Sequence, residues 1–232
     1  MTISVIIPTY NEAERIRDCI QSVKGLSPSE IIVVDGGSTD ETIDIAKQEG
    51  AIIIHSTKGR GIQLNKGASF AKGDILMFIH ADSKILTEDY NQIAMLYKMI
   101  KDIKDNTHSA GGFFRLKFDS KGLSVRLVEL FANIRAEFFS LPYGDQAIFI
   151  KREFFNSIGG FRDYPFLEDI DLVMRLRKIK RLRALPFWVL ASSRRIDKGY
   201  PLSPVLVSLR NVVIATLFIL GVSPYKLQSL YK

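Results

Sequence analysis

Cysteine is almost missing from this chain: among 232 residues there is one, Cys19. A single thiol closes no internal disulfide and builds no thiolate metal cluster, so the sequence reads as a protein of a reducing compartment. Cys19 shares an apolar helix stripe with Ile16, Ile20 and Val23, which predicts a buried structural thiol rather than a reactive one. His55, His80 and His108 show no zinc-ligand spacing. The opening run MTISVIIPTYNE has neither a basic n-region nor a small-residue cleavage site, so no signal peptide and a cytoplasmic location are expected. PTYNEA follows the first apolar run where a dinucleotide fingerprint would need Gly-x-Gly-x-x-Gly. Neither a GxxxxGK[ST] phosphate loop nor a GxSxG elbow occurs, which counts against P-loop hydrolases and serine hydrolases.

Long hydrophobic runs are also scarce. Pro201–Val222 carries one charge, Arg210, but its uninterrupted apolar part, Val212–Val222, has only 11 residues. Spanning needs ~20, so this segment is expected on a domain, a partner subunit or a membrane surface. Acidic residues run out toward the same end. Residues 1–171 carry 20 Lys/Arg and 24 Asp/Glu, whereas residues 172–232 carry 12 Lys/Arg and one acid, Asp197. That basic tail lacks any nucleic-acid-binding motif, so no nucleic acid is expected as partner. An anionic membrane or a dimer contact through 201–232 fits it better. With 47% hydrophobic and 25% charged residues, the composition is that of one sizeable domain. It is read as a domain over 1–200 followed by an apolar, basic helical tail over 201–232.

What is present is a rhythm. The runs Ile3–Pro8, Ile31–Asp35, Ala51–His55 and Ile75–His80 are short, rich in Val and Ile, and end at polar residues, as strands buried on both faces do. Helical patterns lie between and after them: the Cys19 stripe, a segment opening at Ser38 or Thr39 as N-cap, Gly61–Ala71 and Asp89–Ile103. The alternation predicts an α/β fold with a mainly parallel sheet flanked by helices. Further on, strands are expected at Gly111–Phe118, Gln146–Ile150 and Phe187–Ala191. Helices are expected at Ser124–Phe139 (amphipathic), Phe154–Ile158 and Glu168–Lys180.

Ligands of such sheets sit at the carboxyl ends of the strands. Tyr10, Asp35 and Asp82 follow the first, second and fourth apolar runs and are expected to converge there. The chemistry suits a nucleotide: an aromatic ring to stack, a carboxylate for base or ribose, and another for a divalent cation on a diphosphate. Two plainer readings stand beside this one: Asp35-Gly36-Gly37 as a turn, and Asp82 as a turn or capping acid.

The ordered set VIIPTYNE, IIVVDGGSTDET, Gly59-Arg60-Gly61-Ile62-Gln63-Leu64-Asn65, His80-Ala81-Asp82, YGDQAIF and FLEDIDL resembles glycosyltransferase family 2, over roughly residues 3 to 200. The match is to a short branch with GRxxQxN and HAD motifs. The resemblance implies a GT-A fold, a nucleotide-sugar donor (usually a UDP-sugar) and Mg²⁺ or Mn²⁺. It implies that Pro8, Thr9, Tyr10, Glu12, Asp35, Arg60, Asn65 and Ala81 line the nucleotide pocket and that Asp82 holds the metal. His80 stands where the family has the first aspartate of its DxD motif. By the same resemblance Asp169 is the general base of an inverting transfer, with Glu168 positioning it or the acceptor. Gly112, Asp145 and Gln146 are expected near the sugar or acceptor, a small or lipid-like molecule with a hydroxyl or carboxyl group. The alternative is a nucleotide-sugar-binding protein with weakened catalysis.

Overall fold

The structure, a computed structural model, describes residues 1–87, 89–197 and 203–231. The boundary expected at residue 200 falls outside them. Among the described residues one eight-stranded mixed sheet dominates. Its strands, in chain order, are β1 (Ile3–Thr9), β2 (Glu30–Asp35), β3 (Ile52–His55), β4 (Ile75–Phe78), β5 (Ser83–Leu86), β6 (Ser109–Phe118), β7 (Phe149–Lys151) and β8 (Arg181–Ala191). In space they run β3-β2-β1-β4-β7-β6-β8-β5.

The first four strands pair in parallel. β7 is antiparallel to both β4 and β6, β8 is parallel to β6, and β5 closes the far edge antiparallel to β8. It follows that β1, β2, β4, β6 and β8 all point the same way. Their carboxyl ends share one edge of the sheet with the residues that lead into β7.

Helices α1 (Ile16–Lys24), α2 (Thr42–Gln48), α3 (Arg60–Phe70), α4 (Tyr90–Asp105), α5 (Leu123–Phe139), α6 (Arg152–Ser157), α7 (Glu168–Arg177), α8 (Ser203–Ile219) and α9 (Pro224–Tyr231) cover the faces. The pleat divides the core in two. Ile3, Val5 and Ile7 of β1 pack with Ile16, Cys19 and Ile20 of α1 and with α4. Ile6 packs instead with Leu64 and Ala68 of α3 and with Ile170 of α7. Cys19 is buried, its thiol donating to the carbonyl of His80 at 3.4 Å.

Several expectations shift. The helix after β2 begins later than its expected cap, with Glu41 at the cap position and no side-chain cap bond; Ser38 is used elsewhere, its hydroxyl accepting from Asn11 N–H at 2.9 Å. Of the strand expected at Gln146–Ile150, Gln146 lies in a short 3-10 turn and pairing begins at Phe149. β8 starts six residues before the expected Phe187, and α7 ends at Arg177 rather than Lys180. β5 has no counterpart in the sequence reading.

Candidate active site

The common edge gathers the chemistry. A cavity of about 170 Å³ opens there, with Arg60, His80, Asp82, Asp145 and Asp169 on its polar side. Phe118, Phe166, Ile196, Val207 and Ile214 make its apolar side. Each polar group is delivered by a strand end or a helix start: His80 and Asp82 follow β4, Arg60 begins α3, Asp145 precedes β7, and Asp169 lies in the first turn of α7.

Asp82 is held by Arg194, which follows β8: the guanidinium reaches Asp82 Oδ2 at 2.9 Å and also pairs with Glu12, which follows β1. One cation therefore spans the ends of three strands. Arg60 forms an ion pair with Glu168. Burial pushes the Glu168 carboxyl above the usual carboxylate range, Arg60 working against it and the neighbouring Asp169 with it.

Asp169 is pinned rather than mobile. Its Oδ2 accepts from the Gly144 N–H at 2.6 Å and its Oδ1 from the Ile170 N–H at 2.8 Å. The same Oδ2 and His80 Nε2 lie 3.2 and 3.0 Å from where a Cβ on Gly144 would sit, so glycine here leaves room for both side chains. The turn into α7 puts Leu167 at φ +65°, a left-handed conformation uncommon for a residue with a Cβ. That turn aims Asp169 at the cleft, while Glu168 is buried against Arg60.

Asp145 presents a different environment. Its Oδ1 is buried and accepts no hydrogen bond. Burial raises its pKa to about 6; Arg135 opposes the shift, and Asp169 and Asp82 add to it.

Other candidates stand apart from the cavity. Both Asp35 oxygens are engaged by its turn, Oδ2 accepting from Gly37 N–H at 2.9 Å and Oδ1 from Ser38 N–H at 3.2 Å, with His55 Nδ1 at 3.7 Å from Oδ2. Tyr10 is 40% exposed, with Lys58 Nζ 3.5 Å from its ring centre. Thr9 is buried with its hydroxyl oxygen unpartnered; Pro8 lies on β1 and Ala81 in the core.

Three of the residues expected at the site are engaged within the fold. Asn65 clasps the backbone of Phe161, donating to its carbonyl at 2.8 Å and accepting from its N–H at 2.9 Å. Gln146 is buried, accepting from Tyr143 N–H and donating to the Phe114 carbonyl. Gly112 packs so closely that a Cβ would meet the Phe149 ring at 2.5 Å.

Sequence reasoning missed four contributors. Gln63 Nε2 donates to the Thr9 and Val34 carbonyls at 2.9 and 2.8 Å, lashing β1 to β2. Arg194 is one of the 12 basic residues counted over 172–232. Val207 and Asn211 belong to α8, and both line the cleft. A polar asparagine within an apolar run was the available signal for the last.

The Glycosyl transferase family 2 model matches residues 4–162, more than half of the chain. The chain belongs to glycosyl transferase family 2. Among curated relatives, a PGL/p-HBAD biosynthesis glycosyltransferase of Mycobacterium bovis is 37% identical over 95 residues, which is 37% of each chain. The chain therefore matches little more than a third of that relative's length. Among solved structures, a mannosyltransferase of Pyrobaculum calidifontis in complex with GDP-Man and Mn²⁺ is similar at TM-score 0.67 and 19% identity. That match covers 99% of this chain and 67% of that one. Glucosyl-3-phosphoglycerate synthase of Mycobacterium tuberculosis, in complex with Mn²⁺, UDP and glucosyl-3-phosphoglycerate, gives TM-score 0.61 at 23% identity. There the coverage is 93% and 78%. These likenesses establish the fold of the family 2 chain as that of the GT-A glycosyltransferases.

Proposed function

We propose that this family 2 protein is an inverting, metal-dependent glycosyltransferase that moves a sugar from a nucleotide-sugar, a UDP-sugar first, to a hydroxyl or carboxyl of a small or lipid-like acceptor. The observation that carries the reading is the convergence of Asp82, Asp169, Asp145 and Arg60 on one cleft at the carboxyl edge of the sheet. The relatives complexed with UDP or GDP-Man and Mn²⁺ support the donor class and the cation.

The residues fit a divalent cation in a restricted sense. Among the described residues no cluster of three or more His, Cys, Asp and Glu side chains is placed to hold one. Asp82, with His80 beside it in the cleft, is a suitable anchor for Mg²⁺ or Mn²⁺ whose other ligands are diphosphate oxygens and water. Arg194, which pairs with Asp82, has a second carboxylate in Glu12 and can stay on it. A bound cation would offset the charge that builds on the departing diphosphate.

Asp169 would take the proton from the attacking acceptor. Its fixed orientation on Gly144 and Ile170 leaves the carboxylate ready without rearrangement, and Glu168, tied to Arg60, holds the start of α7 in place. Asp145 and the apolar wall of Phe166 and Ile214 would receive sugar and acceptor. Contact with a membrane face or a second copy through 201–232 belongs to the same reading. Among the described residues no helix is long and apolar enough to cross a membrane.

Calorimetric titration of UDP with and without Mn²⁺, on wild type and Asp82→Asn, tests the donor site. Binding that needs both the metal and Asp82 is expected. Metal-independent binding that survives Asp82→Asn would remove Asp82 from the role, and no binding of UDP or GDP-linked donors would leave the transferase reading without support.

A further inference from the structure

Helix α5 is amphipathic with its apolar side turned outward. Leu123, Leu127, Leu130, Phe131, Ile134 and Phe138 recur at the spacing of one helix face, and all are exposed, Phe131 by 66% and Phe138 by 78%. The opposite, buried face is narrow and built from Val125, Glu129, Ala132 and Ala136. A surface helix ordinarily buries its wide apolar stripe. Here the stripe is left for something else. The neighbouring helix α8, packed beside α5, likewise exposes Leu206, Leu209 and Val213 while its other side supplies Val207 and Asn211 to the cleft.

Cations border this surface. Leu130, Ile134 and Phe138 share a groove of about 360 Å³ with Arg115, Lys117, Arg126 and Trp188. Arg115 and Arg126 are paired with Glu137 and Glu129. Lys117 sits over the Trp188 ring at 4.6 Å and has no carboxylate at ion-pair distance among the described residues. Lys121, exposed just before α5, is also without one. Neither α8 nor α9 contains an acid.

We infer that the exposed face of α5, extended by α8, docks on the surface of an anionic lipid bilayer. Leu and Phe on one side, with Lys, Arg and Trp at the border, suit burial among acyl chains beneath a layer of negative headgroups. A second copy of the chain suits the face less well, because the acids on this groove, Glu129 and Glu137, are already paired with Arg126 and Arg115 and offer Lys117 and Lys121 of a partner copy no free carboxylate. The sequence assigns any such contact to 201–232; the inferred contact is centred on α5 and takes in that tail through α8. The purpose of the contact, presenting a membrane-borne acceptor to a cleft walled by α8, rests on the acceptor class proposed above. The contact itself is tested without substrate.

The test is co-sedimentation with vesicles of phosphatidylcholine alone and of phosphatidylcholine with about one-third phosphatidylglycerol, read together with fluorescence of Trp188, the single tryptophan. The expected result is partitioning onto the anionic vesicles, weakened by salt, with a blue shift of Trp188 emission. Phe131→Ser/Phe138→Ser should reduce it by about tenfold or more. Both positions are exposed, and an unchanged UDP titration and melting temperature would show that the variant is folded. Absence of partitioning, equal partitioning of the variant, or an unmoved Trp188 signal would overturn the inference. So would a wild-type dimer that the same variant converts to monomer without vesicle binding, which would assign the face to a second copy. Vesicle binding without UDP binding would sink the transferase reading and leave this one standing; the reverse pattern would do the opposite.

Discussion

Asp145 and Asp169 occupy the same cleft under opposite conditions. Asp169 accepts two backbone N–H groups, which favour its charge. Asp145 has a buried, unpartnered oxygen, and burial lifts its pKa from 3.8 to about 6, against the pull of Arg135 and Arg60 and with the push of Asp169 and Asp82. A carboxyl whose folded pKa is raised contributes stability that is fully present below the unfolded value and is lost as pH rises through the folded one. Asp145→Asn should therefore change little near pH 4 and stabilise the protein above about pH 6, by about 1–3 kcal/mol. Urea melts at the two pH values check this, and an equal effect at both would refute it. Asp169→Asn should leave UDP binding intact and lower turnover by about 10²-fold or more, the order lost with a general base; normal turnover would rule the role out. In the sequence these residues were legible as types in motifs. Whether each would touch a ligand or a backbone was not. Asn65 and Gln146 read like site residues, and in the fold each amide also braces backbone, because an amide side chain satisfies a carbonyl and an N–H at once, and which neighbours it meets is decided by loops distant in sequence.

At the scale of elements, the strands buried on both faces were the clearest signal, since β1, β2 and β4 hold the uninterrupted apolar stretches Val5-Ile6-Ile7, Ile31-Ile32-Val33-Val34 and Ile75-Leu76-Met77-Phe78. β5 is four residues at the sheet edge, too short for any period to show. The first half of β8 was hidden for another reason. Arg181 and Arg183 are exposed, Pro186 interrupts the pattern, and the register with β6 slips between Phe113 and Arg115, opposite that proline. Proline in a sheet belongs at such an irregularity. Helix α3 carries a sharper constraint. A Cβ on Gly67 would lie 2.5 Å from Ile6 Cγ2 and 2.9 Å from Val34 Cγ2. Both neighbours are β-branched and buried in strands, so neither can swing away. Gly67→Ala would gain about 1 kcal/mol of helix propensity and lose about 1–3 kcal/mol to overpacking. A net fall in stability on thermal melting is expected; a more stable variant would show that α3 can slide on the sheet.

Across the whole molecule, the guanidinium of Arg194 ties distant strand ends together along the polar edge. β1 and β4 are neighbours in the sheet, but β8 lies three places beyond β4, and the residues after β8 come to the other two through Arg194 on Glu12 and Asp82. The sheet order that allows this is a matter of non-local pairing, which strand patterns do not reveal; only the family resemblance hinted at it. Removing the guanidinium takes a shared cation away from two mostly buried carboxylates. Arg194→Met keeps most of the side-chain volume and should cost about 2–4 kcal/mol in the metal-free protein, as breaking a partly buried pair does. If Asp82 is a cation anchor, the same change removes a competitor for it. Mn²⁺ with UDP should then recover a larger share of stability in the variant than in wild type, because a ligand that binds only the folded state stabilises it in proportion to its affinity. Thermal melts of both proteins with and without Mn²⁺ and UDP make the comparison. Equal gains would mean that Arg194 and the cation do not contend for Asp82, and that the clamp is purely a tie between the two halves of the sheet.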